Sequence, residues 1–427
     1  VKLIVDLHLH SHYSRATSRD MDLSSLYSWG KLKGINIIGS GDFTHPLWLA
    51  ELKEKLEPAE NGLFKLKKKF SDSLDRALPK SVRDSVLRFV LTVEISNIYK
   101  RGGKVRKVHN VVISSEFKSV DRLNAKLSKI GNLKSDGRPI LGLDSEELLK
   151  IALDSGSGNF FIPAHIWTPW FSMFGSKSGF DSVEEAFGES SKYIYAVETG
   201  LSSDPYMNWR VKDLDGLTLV SNSDAHSPKK LGREANVIDC GIDYDQIMGA
   251  IKSGDERFVG TIEFYPEEGK YHYDGHRMCS VCMAPEEALK NNNICPKCGE
   301  PLVLGVMHRV NDLSDRSSEY KPKKHKSVEY IVPLDNIIAE TLGIVSVNAK
   351  SVTGVYNELC ALLGSEFSIL RDVNLADIEK AGGVRLKEAI ERMRSGNLKI
   401  EPGYDGVFGV VKVFEGKDSS NQLALDI

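Results

Sequence analysis

Over roughly the first 260 residues, short apolar runs alternate with segments whose apolar residues recur at helical spacing. Runs at Leu3–Leu7, Ile35–Gly41, Phe89–Glu94, Val108–Ser114, Phe160–Ala164, Tyr193–Glu198 and Leu217–Ser223 predict strands. Between them, Leu23–Leu32, Leu47–Leu56, Val120–Ile130, Ser145–Leu153 and Val183–Phe187 predict amphipathic helices. Two of those helices open on Asp144-Ser145-Glu146-Glu147 and Asp181-Ser182-Val183-Glu184, with capping and acidic residues in the first turn. This alternation is the pattern of parallel β/α units. Further on, Asn336–Leu342, Val352–Leu363, Leu375–Lys380 and Leu386–Arg394 predict helices stopped by Gly343, Gly364, Gly382-Gly383 and Gly396. A turn and a strand follow over Ile400–Val410. The expected organisation is a barrel over 1–260, a small cysteine-bearing domain over 261–318 and a helical domain over 319–427.

Composition narrows the class only a little. Hydrophobic content of 41% and charged content of 27% suit a globular domain. No apolar run nears the ~20 residues of a membrane span, and no signal-peptide pattern opens the chain, so no membrane role and a cytoplasmic location are expected. The net charge of −3 exerts no overall pull on nucleic acid, although basic clusters stand at Lys65–Lys69, Lys100–Lys107 and Lys321–Lys326. Only Gln246 and Gln422 represent glutamine in a chain rich in Lys and Glu, which leans toward a thermophilic source.

The chemistry lies at the strand ends. The first strand runs into His8-Leu9-His10, and strand alternation projects those two imidazoles together. The second leads to Asp42 and His45, the third to Glu94, the fifth to His165, the sixth to Glu198 and the seventh to Asp224-Ala225-His226. The fourth differs, because His109 comes early in it. Seven of the eleven histidines precede residue 227 and six of those seven belong to this set, which chance scatter would not produce. β/α barrels build their active sites at the C-terminal ends of the strands. His8, His10, Asp42, His45, Glu94, His109, His165, Asp224 and His226 are too many ligands for one tetrahedral ion, so two or three divalent ions are expected. Mixed imidazole and carboxylate ligands suit zinc, manganese or iron, and a purely oxygen set magnesium or calcium; zinc, or else manganese or magnesium, is the expected occupant. Such centres generate hydroxide from water and neutralise oxyanions, which is phosphoester hydrolysis chemistry. His8, His10, Glu94, Asp224 and His226 are the candidate catalytic residues, and His12 is a spare ligand.

Four of the six cysteines form Cys279-Ser280-Val281-Cys282 and Cys295-Pro296-Lys297-Cys298, two knuckles whose spacing predicts a structural zinc site. His272, His276 and His308 nearby are expected to be surface polar residues. Cys240 and Cys360 are expected to be buried thiols.

His8-Leu9-His10, Asp42/His45, Glu94, His109, His165 and Asp224-Ala225-His226 resemble the polymerase and histidinol phosphatase (PHP) superfamily. The resemblance implies a distorted seven-stranded β/α barrel with a trinuclear centre. His8, His10, Glu94 and Asp224 would hold one ion, Glu94, His109 and His165 a second, and Asp42, His45 and His226 a third. The usual Asp-His pair of the second motif reads Asp42-Phe43 here, with the histidine displaced to His45.

Three features turn the expectation from a small phosphomonoester toward nucleic acid. A four-cysteine module and a helical module follow the barrel. Lys104 and Arg106 stand in a glycine-hinged basic loop suited to backbone phosphates. An aromatic-dense loop carrying Trp167, Trp170, Phe171 and Phe174 follows His165, with Tyr206 and Trp209 beyond Glu198. Such rings can stack on an unstacked base. The whole arrangement, including Glu401-Pro402-Gly403-Tyr404-Asp405-Gly406, resembles the endonuclease Q family nearly end to end. That resemblance implies a prokaryotic, archaeal-type DNA repair enzyme. It would nick damaged DNA on the 5′ side of a deaminated base (hypoxanthine, uracil or xanthine) or an abasic site. The alternatives are a PHP phosphatase of histidinol phosphate type and a non-catalytic lesion-binding scaffold. The tail Asn421–Ile427 faintly resembles segments that bind a sliding clamp.

Overall fold

The computed structural model describes residues 1–414, so the clamp-like tail lies outside the described residues. All seven predicted strands are present as β1 (Lys2–Asp6), β2 (Ile37–Gly39), β3 (Arg88–Arg101), β4 (Lys104–Ser114), β5 (Phe160–Pro163), β6 (Ala196–Glu198) and β7 (Thr218–Val220). They close into a distorted barrel. β1, β2 and β3 run parallel, with Val5 opposite Ile37 and Ile38 opposite Phe89. β4 is antiparallel to both β3 and β5. The Ile166 N–H donates to the Glu198 carbonyl to join β5 to β6, and β6 runs parallel to β7. The ring closes where the His10 N–H donates to the Ala225 carbonyl at 3.0 Å.

The reversal of β4 explains the early position of His109. Because β4 runs opposite to its neighbours, its residues reach the shared rim in reverse order. Glu94 pairs with Val111, and His109, two residues before Val111, therefore shares the face of Glu94. The basic loop between β3 and β4 is a two-residue hairpin whose Gly102 and Gly103 have φ of 60° and 74°, the left-handed values such a turn demands.

Helices α1 (Leu23–Lys33), α2 (Pro46–Lys55), α3 (Phe117–Leu127), α4 (Ser145–Ser155) and α5 (Val183–Phe187) match the predicted amphipathic segments within a few residues. At α4 the Asp144 carboxylate accepts from the Glu146 N–H, as the capping signal foretold. Two further strands extend the sheet, β8 (Ala235–Asp239) antiparallel to β1 and β9 (Phe258–Glu263) antiparallel to β8. A small hairpin of β10 (Asp274–His276) and β11 (Val281–Met283) carries the first cysteine knuckle, a later turn carries the second, and β12 (Ser327–Tyr330) then pairs parallel to β9.

Helices α6 (Leu334–Thr341), α7 (Lys350–Leu363) and α8 (Leu375–Ser395) complete the chain's helical part. The predicted stop at Gly382-Gly383 shows as a break inside α8, where Gly383 takes φ 81° and ψ 169°. These helices pack on the barrel through a buried ion pair, Lys33 Nζ to Glu366 Oε2 at 2.7 Å. Cys240 and Cys360 are buried thiols. Among the described residues no helix is long and apolar enough to cross a membrane.

Candidate metal centre

Every strand of the ring delivers a polar side chain to one rim, and the ends that do so are bent. Asp42, His165 and Asp224 have φ of 51°, 29° and 46°, values that non-glycine residues seldom adopt and that cluster at functional sites. Gly200 supplies the room that His165 needs, since a Cβ there would lie 2.4 Å from the His165 Cβ.

The rim gathers two sets of ligand atoms, each within 4.8 Å of one another: His8, His10, Glu94 and Asp224, and Glu94, His109 and His165. Glu94 is common to both. Its Oε1 lies 2.8 Å from His109 Nδ1 and 2.9 Å from His165 Nε2, and its Oε2 lies 3.3 Å from His10 Nε2. Asp224 Oδ1 lies 3.0 Å from His10 Nε2 and 3.6 Å from His8 Nε2. His8 Nε2 is buried and makes no hydrogen bond, while His109 Nδ1 and His165 Nε2 face each other at 3.4 Å. Imidazole nitrogens that converge on shared carboxylates, one of them without a protein partner, fit divalent cations of the zinc or manganese kind.

The electrostatics agree. Burial would raise the Glu94 carboxyl, but His109, Arg138 and His8 outweigh it and hold the group well below the usual carboxylate range. Asp224 is likewise held low, against its burial, by His8 and His10. Burial disfavours charge on His8, yet Glu198, Glu94 and Asp224 hold its pKa well above the ordinary value. His109 is pushed down to about 4 by burial, against the pull of Glu94, and is a neutral ring at physiological pH.

Three expected ligands are placed otherwise. The Asp42 carboxylate is consumed by the floor of the site. Its Oδ2 accepts from the Ser11 N–H at 2.7 Å, the Ser11 hydroxyl at 2.6 Å and the Ser14 hydroxyl at 2.8 Å, and its Oδ1 faces His10 Nδ1 at 3.2 Å. It therefore orients His10, as carboxylates behind metal-ligating histidines do. His45 stacks on Tyr13 with ring centroids 4.2 Å apart, and its Nε2 turns to the Lys134 carbonyl. His226 tilts over His10 at 4.5 Å and hydrogen-bonds the Asp224 carbonyl through Nδ1. These three do not form a ligand set, and neither does His12, whose Nδ1 reaches the Met21 carbonyl.

Of two further contributors, one stood at a strand end without an assigned role and the other escaped the sequence argument. Glu198, fully buried, lies 2.9 Å from His8 Nδ1 and accepts from the His165 N–H and the Asn222 amide, both at 2.8 Å. Its position at a strand end was the available signal. Arg138 reaches over the centre from a loop with no periodic pattern and gives Glu94 Oε2 a hydrogen bond of 3.0 Å.

The expected base-contacting residues divide by burial. The loop after His165 folds back on itself, with the Phe174 N–H on the Ile166 carbonyl, which turns Trp167 and Phe174 into the core. The indole N–H of Trp167 finds Asn208 Oδ1 at 2.8 Å, so burial leaves nothing unpaired. Trp170 stands 51% exposed, Phe171 leans over His109 at 4.8 Å, and Lys107 Nζ lies 5.0 Å from the Trp170 ring. Arg106 is not a free phosphate contact, because its guanidinium is stacked on Phe180 and paired with Glu185; Lys104, on the same face at the hairpin end, remains exposed. Tyr206 and Trp209 pack edge to face, half-buried, with Lys321 over Tyr206 and His325 beside Trp209.

A third group gathers where the small hairpin meets the turn that carries Cys295 and Cys298. His276, Cys279, Cys295 and Cys298 bring their ligand atoms within 4.8 Å of one another, a set suited to a tetrahedral ion. It differs from the expected four sulfurs. Cys282 lies opposite Gly275 in the hairpin, on the other face from His276, and its sulfur turns to the Pro402 carbonyl. His272 and His308, expected at the surface, are buried, and His308 Nδ1 meets Asp274 Oδ2 at 2.6 Å.

This chain superposes on the lesion-specific endonuclease PfuEndoQ of Pyrococcus furiosus with a TM-score of 0.82 at 30% identity, covering all of both chains. It superposes on an endonuclease Q solved with a 27-mer duplex carrying an abasic lesion at the active site, with a TM-score of 0.80 at 31% identity over 97% of each chain. The chain belongs to the endonuclease Q family. Residues 333–397 match the family model of the MJ0043 C-terminal domain. The uncharacterized protein MJ0043 of Methanocaldococcus jannaschii is 32% identical over 68% of this chain, which spans 36% of that protein's length. The uncharacterized protein YqxK of Bacillus subtilis is 31% identical over 60% of this chain, covering 61% of its own length. Endonuclease Q thus accounts for the whole fold, barrel, hairpin and helices together.

Proposed function

We propose that this chain is a metal-dependent DNA repair endonuclease that hydrolyses the phosphodiester 5′ to a deaminated base or an abasic site. The observation that carries the proposal is the pair of ligand sets joined at Glu94, in a chain that matches a lesion-specific endonuclease from end to end. Zinc, manganese or magnesium ions in these sets supply, when bound, activation of water and neutralisation of charge on the phosphate.

The chain's residues do the positioning. His8, His10, Glu94 and Asp224 hold one corner of the site, and His109 and His165 the other, with Asp42 and Glu198 fixing the rings from behind. His226, its side chain 30% exposed, is placed to pass a proton between the reacting oxygens and solvent. Water's oxygen joins phosphorus, the bond to the upstream 3′-oxygen breaks, and that oxygen leaves with a proton. Trp170 and Phe171 form the platform beside the mouth on which an extruded nucleotide or its neighbour stacks, with Lys107 facing its phosphate.

The test is a labelled duplex carrying a single hypoxanthine, uracil or abasic site, incubated with protein and manganese and resolved by strand. One nick 5′ to the lesion and none in the undamaged duplex is the expected result. Asp224→Asn should abolish nicking while leaving binding of the lesion duplex largely intact. Cleavage retained in that variant would overturn the assignment of the centre.

A further inference from the structure

We infer that Arg138 is the residue that grips a non-bridging oxygen of the scissile phosphate, an inference that rests on the endonuclease reading of the centre. Its guanidinium gives one hydrogen bond, from Nη1 to Glu94 Oε2 at 3.0 Å, and Glu94 is the carboxylate that both ligand sets share. Guanidinium offers five donors in a planar fork. Among the described residues only that one is used on another side chain, and the side chain keeps 24% exposure at the mouth. The rest of the fork therefore meets whatever anion enters.

The backbone that carries Arg138 is held in place. Its N–H donates to Asp136 Oδ1 at 3.1 Å, and the other Asp136 oxygen lies 3.2 Å from Arg15 Nε. The Gly137 N–H donates to the Tyr13 carbonyl at 3.0 Å. The chain passes so close to the floor that a Cβ on Gly137 would lie 2.2 Å from Asp42 Oδ2. The loop is thus pressed against the carboxylate that orients His10, and Arg138 is aimed over the junction of the two sets. A planar fork fixed in this way suits a tetrahedral phosphate that must be held during in-line displacement. Charge points the same way. Glu94 is the anion that divalent cations in the two sets would claim, and a guanidinium relieved of Glu94 needs another anion. The phosphodiester is the anion that the reaction brings there.

A purely structural Arg138 would serve only to balance Glu94. The two roles separate in single-turnover nicking of an abasic duplex whose scissile linkage is either a phosphodiester or a methylphosphonate, each diastereomer tested in turn. The proteins are the wild type, Arg138→Gln and Arg138→Lys, at saturating manganese. Loss of one transition-state donor costs about a hundredfold to a thousandfold in rate. Arg138→Gln should show that loss on the phosphodiester, and Arg138→Lys a smaller one. One methylphosphonate diastereomer should be cut equally slowly by wild type and Arg138→Gln, because the contact is already gone. Manganese affinity, measured by titration without DNA, should be unchanged or tighter in Arg138→Gln. Wild-type nicking rate in that variant, additive losses on both diastereomers, or recovery on raising the metal concentration would overturn the inference alone. Failure of the wild type to nick any lesion duplex would overturn the endonuclease reading and this inference with it.

Discussion

Glu198→Gln tests whether the second layer of the centre governs metal affinity. The side chain is fully buried, and all three of its partners present hydrogens to it: His8 Nδ1, the His165 N–H and the Asn222 amide. A carboxylate accepts from all of them. A carboxamide of the same shape has one acceptor oxygen and an NH2 group that must then face a donor. It can avoid that clash only if His8 adopts the opposite tautomer, which puts the proton on Nε2, the nitrogen aimed at Glu94 and Asp224. Losing an outer partner of a metal-bound histidine costs 10- to 100-fold in affinity, about 1.4–2.7 kcal/mol. The donor clash adds to that, so a loss at the upper end, roughly a hundredfold, is expected. Manganese titration followed by electron spin resonance reads this cleanly, because the thiolate-rich hairpin set does not favour manganese. The melting temperature of the metal-free variant serves as the folding control. Unchanged manganese affinity in a normally folded Glu198→Gln protein would refute the reasoning.

Three further outcomes follow from the packing. Removing either partner of the buried Lys33–Glu366 pair should cost roughly 3–5 kcal/mol in denaturant unfolding, whereas Lys33→Met with Glu366→Leu together should cost much less than the sum. At the cysteine knuckles, Cys295→Ser should lose one bound ion per chain by elemental analysis while Cys282→Ser keeps it, since the Cys282 sulfur faces Pro402. Glu234 and Glu263 follow directly on the register pair of Ala235 and Ile262, so two fully buried carboxyls oppose each other across β8 and β9. Burial first, and then Glu263, raises the Glu234 pKa well above the ordinary value. The folded protein therefore holds a proton that the unfolded chain has lost. Stability falls as pH rises from the unfolded carboxyl pKa toward the folded one, by up to about 1.4 kcal/mol per pH unit. Glu234→Gln removes its share of that fall, while Glu263, raised by its own burial, keeps a part. It should melt higher than wild type at alkaline pH, with the gap closing toward pH ~5, near the unfolded carboxyl range. A variant less stable than wild type at every pH would contradict the assignment.

The features that were legible in the chain are those with a period or a strand end. Seven apolar runs marked the seven barrel strands, and the candidate ligands His8, His10, Glu94, His109, His165 and Asp224 stood out because histidines and carboxylates fell at strand ends rather than on helices. Even the odd position of His109 carried information, since it marked the one strand that runs backwards. What period cannot report is which polar neighbour of a cluster touches the centre and which stands behind it. Asp42 and Glu198 are both strand-end carboxylates, yet each is spent on an imidazole from the rear.

Loops hide more than strands do, because their side-chain directions follow from closures that no repeat announces. Backbone closures such as the Phe174 N–H on the Ile166 carbonyl and the Phe180 N–H on the Met173 carbonyl send Trp167 and Phe174 inward and leave Trp170 outside. The same holds for Arg138. Nothing in Ser135-Asp136-Gly137-Arg138-Pro139 points to the metal centre, and its role is set by distant partners, Tyr13, Arg15 and Asp42, that meet the loop only in the folded chain. The division has a physical cause. A strand end is aimed by the pleat it belongs to, so its chemistry can be read locally, whereas a loop residue is aimed by contacts far away in sequence. The centre of this protein joins both kinds: ligands supplied by strands, and above them an arginine that only the closed barrel brings into place.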